Sequence, residues 1–234
     1  MGKVFINKVI EIALNEIGYH EKASNKDLDY KNANAGSGNW TKYARDLWDA
    51  VPHYYQGCKN GFDWCTIFVD WCIYRAAGND SNHAQEIVYY SGPYGAGCGP
   101  SVQYYKAAKA WYSEPMLGDQ IFFGTEASVK HTGLVVAIEE NYIYTVEGNA
   151  NNCVLKRKYK KTDSCIVGYG RPAYDGFGVE TFPFVDVPKD AWYREAAEWC
   201  YNKGIVAGVD SKHMAPNAAC SRAEVMQMLY RALT

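Results

Sequence analysis

Asp63-Trp64-Cys65-Thr66-Ile67-Phe68-Val69-Asp70-Trp71 is the stretch from which the rest of the chain can be read. Apolar residues at Ile67, Phe68, Trp71 and Ile73 suit a buried helix over 66–74, with Cys65 at its N-terminus. The unpaired N–H groups and positive dipole end found there favour a thiolate. That matters because a free thiol, with a pKa of about 8.5, is only a few per cent ionised at neutral pH.

An activated thiol also needs a base, and Lys130-His131-Thr132-Gly133-Leu134-Val135-Val136 offers one. His131 opens an apolar run, 134–138, that reads as a buried strand. A turn at Glu140-Asn141 leads into a second strand, 142–146, which Glu147 closes in Thr145-Val146-Glu147-Gly148-Asn149. Adjacent antiparallel strands would bring His131 and Glu147 together, so that the carboxylate orients the imidazole. Asn149 either orients the ring as well or fixes the loop. Taken singly, a buried cysteine or a strand histidine is more often structural. The order of helix N-terminus, histidine strand and glutamate strand points instead to a cysteine hydrolase.

The 234 residues suffice for one catalytic core and an appendage of under a hundred residues. Formal charge is −2; six Lys/Arg against eight Asp/Glu follow from Tyr174 onward, leaving the earlier part neutral. Nothing in that balance suggests nucleic acid. The basic run Lys156-Arg157-Lys158-Tyr159-Lys160-Lys161 reads as a solvated strand end and turn, with contact to anionic wall polymer as the other use. Residues 4–17 read as an amphipathic helix ending at Gly18, not as a secretion signal, and no apolar stretch is long enough to span a membrane. The eight cysteines include no Cys-x-x-Cys pair; mostly free thiols are expected, with a bridge such as Cys58 to Cys98 left open. The Gly/Pro-rich segment 89–100 reads as a loop whose Tyr94 borders the cleft, followed by a helix over 102–112 and a strand over 121–123.

A glycine-punctuated linker, Tyr174-Asp175-Gly176-Phe177-Gly178, introduces a second unit. Asp190 is placed to cap a helix that stops at Gly204, and Ser221 with Glu224 makes a capping box for another. The expected contacts join Trp192, Ala196 and Trp199 to Val225, Met228 and Leu229.

Trp64-Cys65 with Phe68-Val69 and Trp71, Gly118-Asp119-Gln120-Ile121-Phe122-Phe123, His131-Thr132-Gly133-Leu134-Val135, Glu147-Gly148-Asn149 and Gly168-Tyr169-Gly170-Arg171-Pro172 resemble, in that order, the CHAP family of peptidoglycan hydrolases. The resemblance implies an α+β, papain-like fold of the NlpC/P60-CHAP superfamily over 1–173. It implies Cys65 as nucleophile, His131 as base, and Glu147 and Asn149 completing the site; Trp64 beside the nucleophile and Tyr94 in the aromatic loop are the substrate-binding candidates. Such enzymes cut amide bonds in cell walls, either between glycan and stem peptide or within the peptide and cross-bridge. Some phage members bind calcium before the nucleophile, but Tyr55-Gln56-Gly57-Cys58-Lys59-Asn60-Gly61-Phe62-Asp63 has one acid and a lysine. No cofactor is therefore expected; calcium stays open without an identifiable ligand set, and the Asn/Asp-rich segment 25–39 reads as a polar loop.

After a linker over 174–183, residues 184–234 resemble a single S-layer homology (SLH) module, with Ser221-Arg222-Ala223-Glu224 where that family usually has Thr-Arg-Ala-Glu. Such modules bind secondary polymers of the Gram-positive wall, commonly as three repeats. By analogy Arg222, Trp192 and Asp186 face the polymer, the alternative being capping and packing. One copy of about fifty residues has a marginal core, so it is expected to dock on the catalytic domain or to assemble with copies on other chains. The whole then reads as a peptidoglycan amidase or endopeptidase of phage or prophage endolysin type, made in the cytoplasm and acting at the wall, either after release through a holin or as an extracellular protein. The alternatives are an inactive wall-binding protein and an NlpC/P60-type D-glutamyl endopeptidase.

Overall fold

The computed structural model describes residues 3–91, 97–176, 182–202, 205–210 and 212–233. They fall in two compact units, Met1–Tyr174 and Asp175–Thr234. The first is α+β. Its helices are α1 (Ile6–Asn15), α2 (Lys42–Asp49), α3 (Cys65–Ala76), α4 (Ser81–Ile87) and α5 (Cys98–Ala107). Its strands are β1 (Trp111–Tyr112), β2 (Gln120–Thr125), β3 (Ser128–Ile138), β4 (Tyr142–Ala150), β5 (Cys153–Lys160) and β6 (Ile166–Gly170). They form one antiparallel sheet in the order β1-β6-β2-β3-β4-β5.

Helix α3 is apolar around nearly its whole circumference, as a helix buried on all sides must be, and it packs against α1, α2, α4, β3 and β4. α1 is amphipathic in the expected way, burying Val9 and Ala13, but it is shorter than 4–17. The helix expected over 102–112 is displaced. It begins at Cys98, because Pro100 is tolerated in a first turn and Ser101 Oγ donates to the Gly97 carbonyl at 3.0 Å. It ends before Lys109, whose φ of 58° breaks the helix and frees Trp111 and Tyr112 to pair with β6.

The Gly118-Asp119 and Arg171 segments brace each other. Arg171 Nε and Nη2 donate to the two oxygens of buried Asp119 at 3.0 and 3.1 Å, tying the start of β2 to the end of β6. Along β5 the basic run alternates, with Lys156, Lys158 and Lys160 exposed and Arg157 and Tyr159 half-buried. It forms the C-terminal end of β5, and Lys161 lies in the turn that follows. All eight cysteines are free, with Cys58 exposed and Cys98 buried.

The second unit contains α6 (Arg194–Asn202) and α7 (Arg222–Leu233). Ser221 and Glu224 exchange backbone-to-side-chain hydrogen bonds at 2.7 and 3.2 Å at the start of α7. Asp190 does not cap α6, which starts four residues later, and Gly204 lies outside the described residues. The expected packing of Trp192, Ala196 and Trp199 on Val225, Met228 and Leu229 is not formed. Trp192 is 94% exposed, and no residue of α7 is buried. The core lies instead at Phe184, Val187 and Ile205, with the rings of Phe182 and Tyr201 stacked edge-on around Phe184. A unit this small has too little interior to cover both helices. Among the described residues, no helix is long and apolar enough to cross a membrane.

Candidate active site

Cys65 is the first residue of α3, and the Phe68 N–H already bonds the Trp64 carbonyl, which leaves the Cys65 N–H without an intrahelical partner. Its position is set by Trp64, which is fully buried among Tyr19 and Tyr43 and donates Nε1–H to Glu21 Oε2 at 2.7 Å. That placement overturns the reading of Trp64 as a substrate contact: the indole anchors the start of the helix and has no surface to offer.

His131 lies inside β3, not at its start, paired with Phe123, whose ring stacks on the imidazole at 5.9 Å. Its Nε2 meets Glu147 Oε2 at 2.9 Å. With that nitrogen taken, Nδ1 is the one left for the thiol. Two glycines make the arrangement sterically feasible. A Cβ on Gly133 would come within 2.5 Å of Glu147 Cγ, so the bare backbone of β3 lets the glutamate cross toward His131. A Cβ on Gly148 would lie 2.4 Å from Phe68 Cβ and 2.9 Å from Trp64 Cζ3, so its absence lets α3 settle on β4 beside Glu147.

Glu147 is 1% exposed, and a buried carboxylate needs partners. Thr145 Oγ1 donates to Oε1 at 2.5 Å, while Oε2 receives His131 and has Arg157 Nε at 3.5 Å. Tyr159 also bonds the carboxylate, which together with burial pushes the phenol well up from its usual range. Asn149 Nδ2 donates to Asp63 Oδ1 at 3.2 Å, tying the end of β4 to the segment just before the nucleophile. Of the two roles open to Asn149, this is the loop-fixing one.

Burial alone would lower the His131 pKa, but hydrogen bonds with Cys65 and Glu147 outweigh it and push the ring up to about 9. A second sulfur complicates the thiol. Cys98, first residue of α5, has its Sγ 3.7 Å from Cys65 Sγ and 3.6 Å from Thr66 Oγ1. The Cys98 contact and then burial raise Cys65, the imidazole lowers it, and Cys98 is lowered chiefly by its hydrogen bond with Cys65. With one negative charge between them, these directions favour Cys98, yet only Cys65 also touches the imidazole. Placing that charge on Cys65 gives a thiolate–imidazolium pair with the Cys98 S–H as donor.

Family models match the chain twice, a CHAP domain over residues 57–149 and an S-layer homology domain over 183–226. The chain carries a CHAP domain followed by an S-layer homology domain. The first implies a peptidoglycan hydrolase and the second a cell-wall association. A search among curated proteins finds no match. Cys65, Cys98, His131, Glu147 and Asn149 all lie within the CHAP match, whereas Arg157 and Tyr159 lie beyond it.

Arg157 and Tyr159 were missed in the sequence, although the period-two alternation of β5 and the pairing of Arg157 with Thr145 put both on the Glu147 side. Thr145, two residues before Glu147 on one strand, carries the same signal. Cys98 gave none, since nothing local joins it to Cys65. Tyr94 lies outside the described residues. In the SLH domain Asp186 accepts from the Met214 and Ala215 N–H groups at 2.9 and 2.7 Å, so its carboxylate caps a loop instead of facing outward. Arg222 is exposed at the start of α7. Away from the CHAP site, a cavity of about 490 Å³ is lined by Lys42, Arg45 and Asp46 of α2 and Trp71 and Arg75 of α3. Arg75 is ten residues along α3 from Cys65, about 15 Å, so this cavity does not serve the thiol.

Proposed function

We propose that the CHAP domain, with a papain-like fold, hydrolyses an amide bond of peptidoglycan through a thioester on Cys65, as an N-acetylmuramoyl-L-alanine amidase or a peptide or cross-bridge endopeptidase of the endolysin type. The observation that most supports this is the 2.9 Å His131–Glu147 bond, with the same imidazole in contact with a cysteine at a helix N-terminus. The Cys65 thiolate attacks the carbonyl carbon, and the charge moves onto the carbonyl oxygen, where the Cys65 backbone N–H can donate. His131 gives its proton to the departing amine as the C–N bond breaks. The neutral imidazole then takes a proton from water, whose oxygen attacks the thioester and releases the acid and the Cys65 sulfur. Glu147 holds the ring in register and stabilises its charged form, and Asn149 fixes the loop carrying Asp63.

The SLH domain directs the enzyme to a secondary wall polymer. Exposed Arg222 and Trp192 are its contact candidates, whereas Asp186 is committed to its loop. α7 leaves Val225, Met226, Leu229 and Leu233 uncovered, which supports association with SLH domains of further copies. A monomer in sedimentation at high concentration would overturn that association.

The test of hydrolysis is mass spectrometry of fragments released from Gram-positive peptidoglycan by wild type and Cys65→Ala. Free stem peptides with intact glycan identify an amidase, and new peptide or cross-bridge amines identify an endopeptidase. Turnover retained in Cys65→Ala rules out the nucleophile.

A further inference from the structure

Two observations about Cys98 stand outside the hydrolytic scheme. Its sulfur lies 3.7 Å from that of Cys65, and both side chains are nearly covered, at 8% and 6% exposure. Each also opens a helix, Cys65 opening α3 and Cys98 opening α5, so two sets of unpaired N–H groups and two positive dipole ends meet at one sulfur pair. The other sulfurs with hydrogen bonds, Cys153 to His20 and Cys220 to the Ser221 carbonyl, meet no second sulfur there. A disulfide requires the sulfurs to approach to about 2.05 Å, a closure of roughly 1.6 Å from the distance seen here. Side-chain rotation and small shifts of two helix ends are the adjustments it calls for.

We propose that Cys65 and Cys98 form a thiol-oxidation site, at which a small hydroperoxide converts the pair to a disulfide that blocks the nucleophile until a thiol reductant reopens it. In the first step the Cys65 thiolate attacks one peroxide oxygen. An S–O bond forms, the O–O bond breaks, and hydroxide leaves, giving a sulfenic acid on Cys65. In the second step the Cys98 sulfur attacks the Cys65 sulfur. The S–S bond forms, the S–O bond breaks, and the oxygen departs as water with the Cys98 proton. Two thiols lose two electrons, and hydrogen peroxide becomes two waters. A dithiol reductant reverses the change by exchange, forming its own disulfide.

The 3.7 Å separation lets Cys98 resolve the sulfenic acid where it forms. Cys98 also protects the enzyme. A sulfenic acid with no neighbouring thiol attacks a second peroxide, forming a second S–O bond as the O–O bond breaks and water leaves, and ordinary thiol reductants do not reverse the resulting sulfinic acid.

This inference uses Cys65 as the nucleophile of the proposed hydrolysis, but its primary readout does not depend on turnover. The full chain is treated with several equivalents of hydrogen peroxide, alkylated, digested without reduction and mapped by mass spectrometry. A peptide joining Cys65 to Cys98, two hydrogens lighter than the sum of its parts, is expected. Wall hydrolysis should fall at least about tenfold and return with dithiothreitol. In Cys98→Ser, scored against its own untreated rate, the loss should persist after dithiothreitol and Cys65 should carry a sulfinic acid. Oxidation of wild-type Cys65 to sulfinic acid without the linked peptide would overturn the proposal. So would a linked peptide joining Cys65 to another cysteine. If the untreated chain hydrolyses no wall at all, the hydrolytic reading fails, while the linked peptide still decides the oxidation site.

Discussion

Asp70 lies five residues beyond Cys65 in α3, buried, and accepts a hydrogen bond from the Tyr55 hydroxyl. Burial pushes its carboxyl up to about 7, against the lowering effect of Tyr55. Tyr54, Tyr105, Tyr174 and Cys72 all feel its charge, and none of them is a cation. An acid whose folded pKa lies above its unfolded value of about 3.9 binds its proton more tightly in the folded state. Its contribution to stability is therefore largest below about pH 4 and is lost as pH rises through 7. A shift of about three units corresponds to roughly 4 kcal/mol in all, of which about 2 to 3 kcal/mol is lost between pH 5 and pH 8.

Asp70→Asn keeps an acceptor for Tyr55 but cannot ionise. Its new N–H₂ group lacks an evident partner, an absolute cost of about 1–3 kcal/mol that does not vary with pH. The quantity to measure is thus the pH dependence, from urea unfolding of the catalytic unit in both proteins at pH 5 and pH 8. The raised His131 also contributes stability below about pH 6.5 that is lost as pH rises through 9, but it does so in both proteins. The wild type should lose about 2 to 3 kcal/mol more than Asp70→Asn over this interval. Equal losses would mean that Asp70 is already ionised at pH 5, and the reasoning from its burial would fail.

Three further outcomes follow from the same contacts. Glu147→Gln removes the charge that helps to raise His131, so the alkaline limb of kcat/KM should move to lower pH from about 9, with kcat down roughly 10²-fold; an unmoved limb would separate Glu147 from the imidazole's titration. Arg157→Ala should move that limb the other way, by a few tenths of a unit because the guanidinium is 38% exposed, as Glu147 Oε2 loses the cation 3.5 Å away; Arg157→Lys should restore it in part. Gly148→Ala forces a methyl to within 2.4 Å of Phe68, and the denaturation midpoint should report about 1–3 kcal/mol of lost stability together with impaired turnover.

The parts of the site that are legible in the sequence are those fixed by local periodicity. Cys65 precedes an apolar helical run, and His131 and Glu147 sit on two strands joined by a short turn, so register alone brings them together. Trp64 was misread because an aromatic residue beside a nucleophile looks the same in sequence whether it lines a groove or anchors a helix; only the Glu21 carboxylate 43 positions earlier decides it. Cys98 was invisible for a related reason. Its partnership with Cys65 depends on how two helix ends converge over a separation of 33 residues, and no periodicity encodes that. In the second unit the apolar spacing of α7 predicted a buried face, but the unit has too little surface to cover it, so the pattern is real and the burial is not.

Charge balance explains why so many groups gather around one imidazole. Glu147 is almost completely removed from water, and an isolated buried carboxylate would take up a proton rather than stay charged. Thr145, Tyr159 and Arg157 each meet that carboxylate with a hydrogen bond or a positive charge, but only His131 can both satisfy Glu147 and respond to the thiol. The imidazolium is then stabilised from two sides, by Glu147 at 2.9 Å and by the sulfur, and it in turn lowers Cys65 against the opposing effects of Cys98 and burial. Each charge is held by the next, so neutralising any one of them shifts the protonation of the others. Such coupling makes the pH profile, more than the rate at a single pH, the informative measurement on every variant of this site.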